Sequence, residues 1–214
     1  MMNRIITGLA LTLGWILTGA LPAMAIEEAR YDVVKKNQNF EIRDYAPHIV
    51  AETVVGGSLE DAGSQAFKIL FGYLSGDNRS RQTVEMTAPV SQRADSEKIK
   101  MTAPVGQQQM EGKWAVSFMM PAAYTMETLP VPENPNVILR QVPGRRMAAV
   151  RYSGFWSEKG YLENKAKLET WIKDNGFKIA GSPLWARYNA PFTPWFMRRN
   201  EILIPIDADA NQDG

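Results

Sequence analysis

The sequence predicts an α+β domain in which two strand–strand–helix–strand–strand units pack about a pseudo-twofold axis. Three observations carry this. Two segments show helical apolar spacing, several shorter runs read as strands, and Ile42–Ala51 can be laid over Leu139–Ala148 at an offset of 97. Each aligned stretch is followed by a further strand, a glycine and a helix. Neither half alone can bury both faces of its elements, so the two should share one core.

At the N-terminus, Met1-Met2-Asn3-Arg4 precedes an apolar run, Ile5–Leu21, and then Ala23-Met24-Ala25. A basic start, a short apolar core and a small-x-small site describe a signal peptide over residues 1–25, cut after Ala25. The run is at the short end of what spans a bilayer, and a retained N-terminal anchor is the alternative. Export to the periplasm or beyond follows, with no stable membrane span once the segment is removed.

Tyr31–Lys36, Phe40–Tyr45 and His48–Val55 read as strands, the first two joined by turn residues Asn37-Gln38-Asn39. Ser58 with Glu60 and Asp61 is a helix start; Leu59, Ala62, Ala66, Ile69, Leu70 and Tyr73 follow at helical spacing, and Gly76 is a stop. Met-Thr-Ala-Pro-Val then occurs twice, at Met86–Val90 and Met101–Val105, each with an alternating lead-in from Val84 or Ile99. A period of two predicts a repeated strand with its proline at a terminus, bulge or edge. Trp114–Met120, Val137–Gln141 and Arg146–Tyr152 are further strands, Leu129–Asn136 an extended proline-rich connection and Pro143-Gly144 a turn. A second helix begins near Ser157-Glu158, presents Tyr161, Leu168 and Ile172, and ends at Asn175-Gly176. Leu184–Tyr188 and Glu201–Ile206 close the domain, taken as residues 26–206. Residues 207–214 read as a disordered acidic tail.

Composition narrows the chemistry. Removing Arg4 with the signal segment leaves 23 basic and 23 acidic residues, which gives no electrostatic case for nucleic acid. The chain has no cysteine, so disulfides, thiolate nucleophiles and covalent haem attachment are excluded. One histidine, His48, excludes every mechanism that needs two.

The repeated pentapeptide, Phe40-Glu41-Ile42-Arg43-Asp44-Tyr45, Met120-Pro121 with Tyr124–Pro130, and Arg198-Arg199-Asn200-Glu201 stand in an order that resembles the SOUL haem-binding protein family. The resemblance runs from about Tyr31 to Ile206. It implies a twisted sheet or distorted antiparallel β-barrel flanked by two helices, similar to the GyrI-like class. It also implies a non-enzymatic protein that binds haem or another tetrapyrrole non-covalently. Some family members hold a ligand histidine within the Glu-Ile-Arg-x-Tyr segment, where this chain has Asp44. His48 is four residues further on, a weaker candidate for an axial ligand.

Where haem binds without histidine, the resemblance places it on a groove along the first helix and the loop before the last strand. Carried over by position, the helix residues are Ser64, Phe67, Lys68 and Phe71, which fall off the core-facing stripe. Lys68, Arg198 or Arg199 would pair with propionates, and Tyr188 is a candidate phenolate ligand. Glu201 has two readings: the charged centre of a GyrI-like pocket, sensor or hydrolase, or half of an ion pair with Arg198 or Arg199. A fold that serves only protein interaction is the third alternative.

Overall fold

The computed structural model describes residues 26–81 and 96–207. In chain order the elements are β1 (Glu27–Glu28), β2 (Tyr31–Asn37), β3 (Phe40–Tyr45), β4 (His48–Val55), α1 (Leu59–Ser75), β5 (Asn78–Arg79), β6 (Thr102–Ala103) and β7 (Val105–Met110). They continue with β8 (Lys113–Met119), β9 (Val131–Pro132), β10 (Ile138–Val142), β11 (Arg145–Tyr152), α2 (Glu158–Asp174), β12 (Leu184–Arg187), a 3-10 turn at Trp195–Met197, and β13 (Asn200–Pro205).

Both helices begin and end on their expected chemistry. The Ser58 hydroxyl accepts from the Asp61 amide and the Ser157 hydroxyl from the Gly160 amide, satisfying amides that the helix cannot. Gly76 ends α1 at φ 127°, a conformation that a side chain would strain.

Nine strands form one antiparallel sheet in the order β10-β4-β8-β7-β12-β13-β11-β3-β2. Exchanging β3 with β10, β4 with β11, β7 with β12 and β8 with β13 reverses this order and leaves it otherwise unchanged. The pseudo-twofold axis therefore passes between β7 and β12, and β2 alone lies outside the symmetry. Helix α1 lies on β4 and β8, and α2 on β11 and β13, which are equivalent pairs.

Consecutive strands β3 and β4 do not pair with each other; β3 pairs with β11 and β4 with β10. Ala46-Pro47 and Pro143-Gly144 are consequently crossings between opposite ends of the sheet, not hairpin turns. A two-residue link spans only about 10 Å, so the sheet has to curl until β3 comes near β4 and β11 near β10, which bends it into a half-barrel whose end strands β10 and β2 do not pair. The crossing is tight: a Cβ on Gly144 would lie 2.9 Å from the Tyr45 carbonyl oxygen.

The principal core lies between the sheet and the helices. Ala62, Ala66, Leu70 and Tyr73 of α1, with Tyr161, Leu168 and Ile172 of α2, meet Ala51, Val116, Phe118, Ala148, Ile202 and Ile204. A smaller cluster of Tyr45, Met147, Ala149, Ala186 and Leu203 occupies the other face of the sheet.

The repeated strand is corrected. Its first copy, Met86–Val90, lies outside the described residues, as do the signal segment and residues 208–214. The second copy is split between two strands: Thr102–Ala103 pair in parallel with Glu27–Glu28, and Val105 opens β7. The expected alternation fails because Thr102 turns inward, its hydroxyl donating to the Met119 carbonyl, while Met101 is exposed. The long strand comes next, at Val105–Met110, and its Gly106 and three glutamines carry no strand signal. The Leu129–Asn136 connection is extended in part: its Val131–Pro132 pairs with Asn78–Arg79.

Candidate functional site

A groove of about 600 Å³ opens between the outer side of α1, the Met101–Val105 segment, the end of β12 and the loop through Phe192. The core stripe of α1 sets its orientation. With Ala62, Ala66 and Leu70 turned to the sheet, Ser64, Phe67 and Lys68 point into the groove. Phe67 is half-buried, set edge-on to Phe118 at 5.4 Å and stacked on Phe71 at 5.8 Å. Phe71 is 44% exposed and extends this aromatic shelf. Ile26, Met101, Val105 and Pro191 add apolar lining.

At the groove's inner wall sits Arg187. Its guanidinium lies 5.0 Å from the Trp185 ring and 5.3 Å from the Trp156 ring, and one Nη donates to Gln107 Oε1 at 3.0 Å. Its Nε is buried without an acceptor, and no carboxylate pairs with it among the described residues. Burial pushes the guanidinium down to about 10, the small opposing influence coming from Tyr152. Helix α1 approaches this closely only because residue 63 is glycine: a Cβ there would lie 2.8 Å from an Arg187 Nη. Arg187 was not among the residues expected from sequence. The signal was the period of two along β12, which puts Arg187 on the same face as the fully buried Trp185.

The expected site residues divide. Ser64, Phe67, Lys68 and Tyr188 all line the groove, and Phe71 stacks beside it. The Ser64 hydroxyl donates weakly to the Glu60 carbonyl at 3.4 Å. Arg198 does not line the groove. It donates to the Thr193 and Pro191 carbonyls at 2.8 and 2.7 Å and lies 4.4 Å from the Trp156 ring, so it fixes the loop that forms one rim. His48 begins β4 with its Nδ1 3.1 Å from the Ala46 carbonyl. It faces two other concavities of about 80 and 460 Å³, away from the shelf. Among the described residues no three His, Asp or Glu side chains cluster as metal ligands.

Glu201 is fully buried on β13 and belongs to an ion network. Its carboxylate accepts from Arg43 at 2.6 and 3.1 Å, from Arg199 Nε at 2.9 Å and from the Tyr188 hydroxyl at 3.0 Å. Burial would raise its pKa, but the hydrogen bonds and charges of Arg43 and Arg199 more than offset this and hold it below the usual carboxylate range. Burial, reinforced by the Glu201 charge, raises the Tyr188 phenol well above its ordinary value. The ion partners are Arg43 and Arg199, the latter also bonded to Glu28, and not Arg198. With its lone pairs taken, Glu201 has none to offer a ligand, and it lines none of the three concavities.

Comparison with solved structures shows the fold. The C-terminal domain of EcmrR is 10% identical over 84% of this chain and 99% of its own, with a TM-score of 0.57. A hydrolase from Listeria innocua is 12% identical over 81% of this chain and 94% of its own, with a TM-score of 0.54. Comparison with curated proteins gave no match. A family model described as SOUL heme-binding protein matches residues 26–205, which take in both helices and all nine strands of the sheet. The chain belongs to the SOUL haem-binding protein family.

Proposed function

We propose that this is an exported, non-enzymatic protein that takes haem or a related carboxylated tetrapyrrole into the groove between α1 and the Tyr188–Phe192 loop. The observation that carries this is Arg187: a guanidinium held between two tryptophans on the wall of an apolar groove, with no acidic partner among the described residues. A buried cation without a counter-ion is costly, and a propionate would supply one through a charge-assisted hydrogen bond. The groove's size falls within the roughly 300–1,000 Å³ of small-molecule sites. Its shelf of Phe67 and Phe71 suits a flat, apolar macrocycle, and exposed Lys68 on the rim offers a second cation.

Haem, when bound, would contribute its own iron chemistry. This chain's part is to bury the macrocycle and hold its carboxylates, without histidine ligation from the shelf. The hydrogen-bonded state of Glu201 favours a structural role for that residue over a catalytic one. Export is supported by the signal-like sequence of residues 1–25.

Titration of the chain starting at Ile26 with haemin should give a saturable, shifted Soret band. The double change Phe67→Ala, Phe71→Ala should weaken binding by tenfold or more, from the roughly 25 cal/mol lost per Å² of apolar contact. A band that neither saturates nor responds to this double variant would refute the proposal.

A further inference from the structure

Beside the groove the loop before β13 exposes an unusual concentration of large apolar side chains. Phe192 is 90% exposed, Trp195 49%, Phe196 60% and Met197 65%, and Phe155 from the β11–α2 connection joins them at 63%. Phe155, Trp195 and Phe196 form one surface: Phe155 stacks on Trp195 at 5.4 Å, and Trp195 meets Phe196 edge-on at 5.6 Å. The loop is also braced. Arg198 ties the Pro191 and Thr193 carbonyls, the Arg199 amide donates to Asn189 Oδ1, and the Gly154 amide donates to the Trp195 carbonyl. Exposed aromatics on a rigid loop keep their cost in water, which points to a surface that is covered in use.

We infer that this platform docks on an anionic lipid bilayer and brings the mouth of the groove to the membrane surface. Three features favour lipid. Tryptophan settles at the headgroup level, and phenylalanine buries its apolar ring at the headgroup–acyl boundary of surface-bound segments. Exposed Lys68 stands on the rim of the groove's mouth, and Arg198 of the platform bonds only backbone carbonyls, so both keep their positive charge without an acidic partner among the described residues. Finally, the apolar run Ile5–Leu21 ends just before Ile26, and Ile26 lines the groove together with Phe192. Ile26, the first residue described, therefore stands on the platform's side of the domain. Among the described residues no helix is long and apolar enough to cross a membrane. An apolar pigment could then pass between bilayer and groove without crossing water.

The test uses the chain from Ile26 to Gly214, which contains the whole family domain but lacks the apolar run. It is floated with vesicles of phosphatidylcholine and phosphatidylglycerol in equal parts, and with phosphatidylcholine alone. The wild type should float with the mixed vesicles and less with the neutral ones. The double change Trp195→Ser, Phe196→Ser should reduce partitioning by at least about tenfold, given the transfer free energy of two aromatic side chains. Its haemin affinity and melting temperature should be unchanged, because neither residue lines the groove or the core. This readout separates failure of the platform from failure of pigment binding. Equal flotation of wild type and variant would overturn the inference. So would absence of flotation combined with a concentration-dependent dimer that the variant abolishes, which would assign the surface to a second copy.

Discussion

Two arginines of opposite circumstance give the sharpest prediction, Arg43 buried and Arg187 partly buried. Arg43 donates to Glu201, Glu41 and Tyr45, whereas Arg187 has one hydrogen bond, to Gln107, and no carboxylate among the described residues. Changing Arg187 to Met removes a buried Nε–H that lacks an acceptor, a relief of about 1–3 kcal/mol. Against this, Gln107 Oε1 loses its donor at a cost of about 1–3 kcal/mol. Two cation–π contacts worth about 0.5–1 kcal/mol each are lost, and sulfur–aromatic contacts of about 0.3–1.5 kcal/mol partly replace them. These contributions cancel to within about 1 kcal/mol, so Arg187→Met should leave the stability of the free protein nearly unchanged. Arg43→Met instead leaves Glu201 short of its main counter-ion and should cost about 3–5 kcal/mol. For haemin the order reverses. Loss of a hydrogen bond to a charged group, about 1.5–3 kcal/mol, should raise the Kd of Arg187→Met by roughly 10- to 150-fold. Urea unfolding and Soret titration on both variants read the two effects. The reasoning fails if Arg187→Met is as destabilising as Arg43→Met, or if it binds haemin like the wild type.

Other outcomes follow from the same geometry. Because the Glu201 carboxyl is depressed below its ordinary 4.5, its contribution to stability is present above that value and is lost as pH falls through the lower folded value. Unfolding free energy should therefore decline on acidification below about pH 4.5 in the wild type, and less steeply in Glu201→Gln. Denaturant titrations across about pH 2.5–6 check this, and parallel profiles would contradict the network. Gly63→Ala should improve helix propensity by about 1 kcal/mol yet displace the Arg187 guanidinium, which a Cβ would approach to 2.8 Å. The expected result is near-wild-type stability with weakened haemin binding; unchanged binding would mean that the guanidinium does not meet the ligand. Leu168→Ala, at a position with no solvent exposure in the α2 core, should cost about 2–5 kcal/mol by urea unfolding.

Much of the fold was legible because local chemistry and tertiary packing agree. Ser58 and Ser157 cap the helices that their sequence announces, and the 97-residue offset between Ile42 and Leu139 corresponds to strands exchanged by the pseudo-twofold. Pairing was less legible, since nothing local in Ala46-Pro47 or Pro143-Gly144 distinguishes a hairpin from a crossing between sheet ends. Strand β7 escaped notice because Gly106 and the glutamines are accommodated by neighbouring strands and not by their own preference. Gln107, fully buried, is held by bonds to the Leu59 carbonyl and Arg187. At the site, Phe67 and Phe71 were reached by position from the family resemblance, and their departure from the helix's core stripe agrees with it. Arg187 carried a signal in its period of two with Trp185, whereas the commitment of Arg198 to loop carbonyls depends on a loop conformation that spacing does not encode.

The claim that a carboxylated pigment meets Arg187 is tested most directly by a binding cycle. Protoporphyrin IX and its dimethyl ester are titrated against the wild type and Arg187→Met, following tryptophan quenching. The wild type should prefer the free acid by tenfold or more, in keeping with a charge-assisted hydrogen bond, and the variant should bind the two pigments alike. An undiminished preference in the variant would place the carboxylate elsewhere and contradict the account.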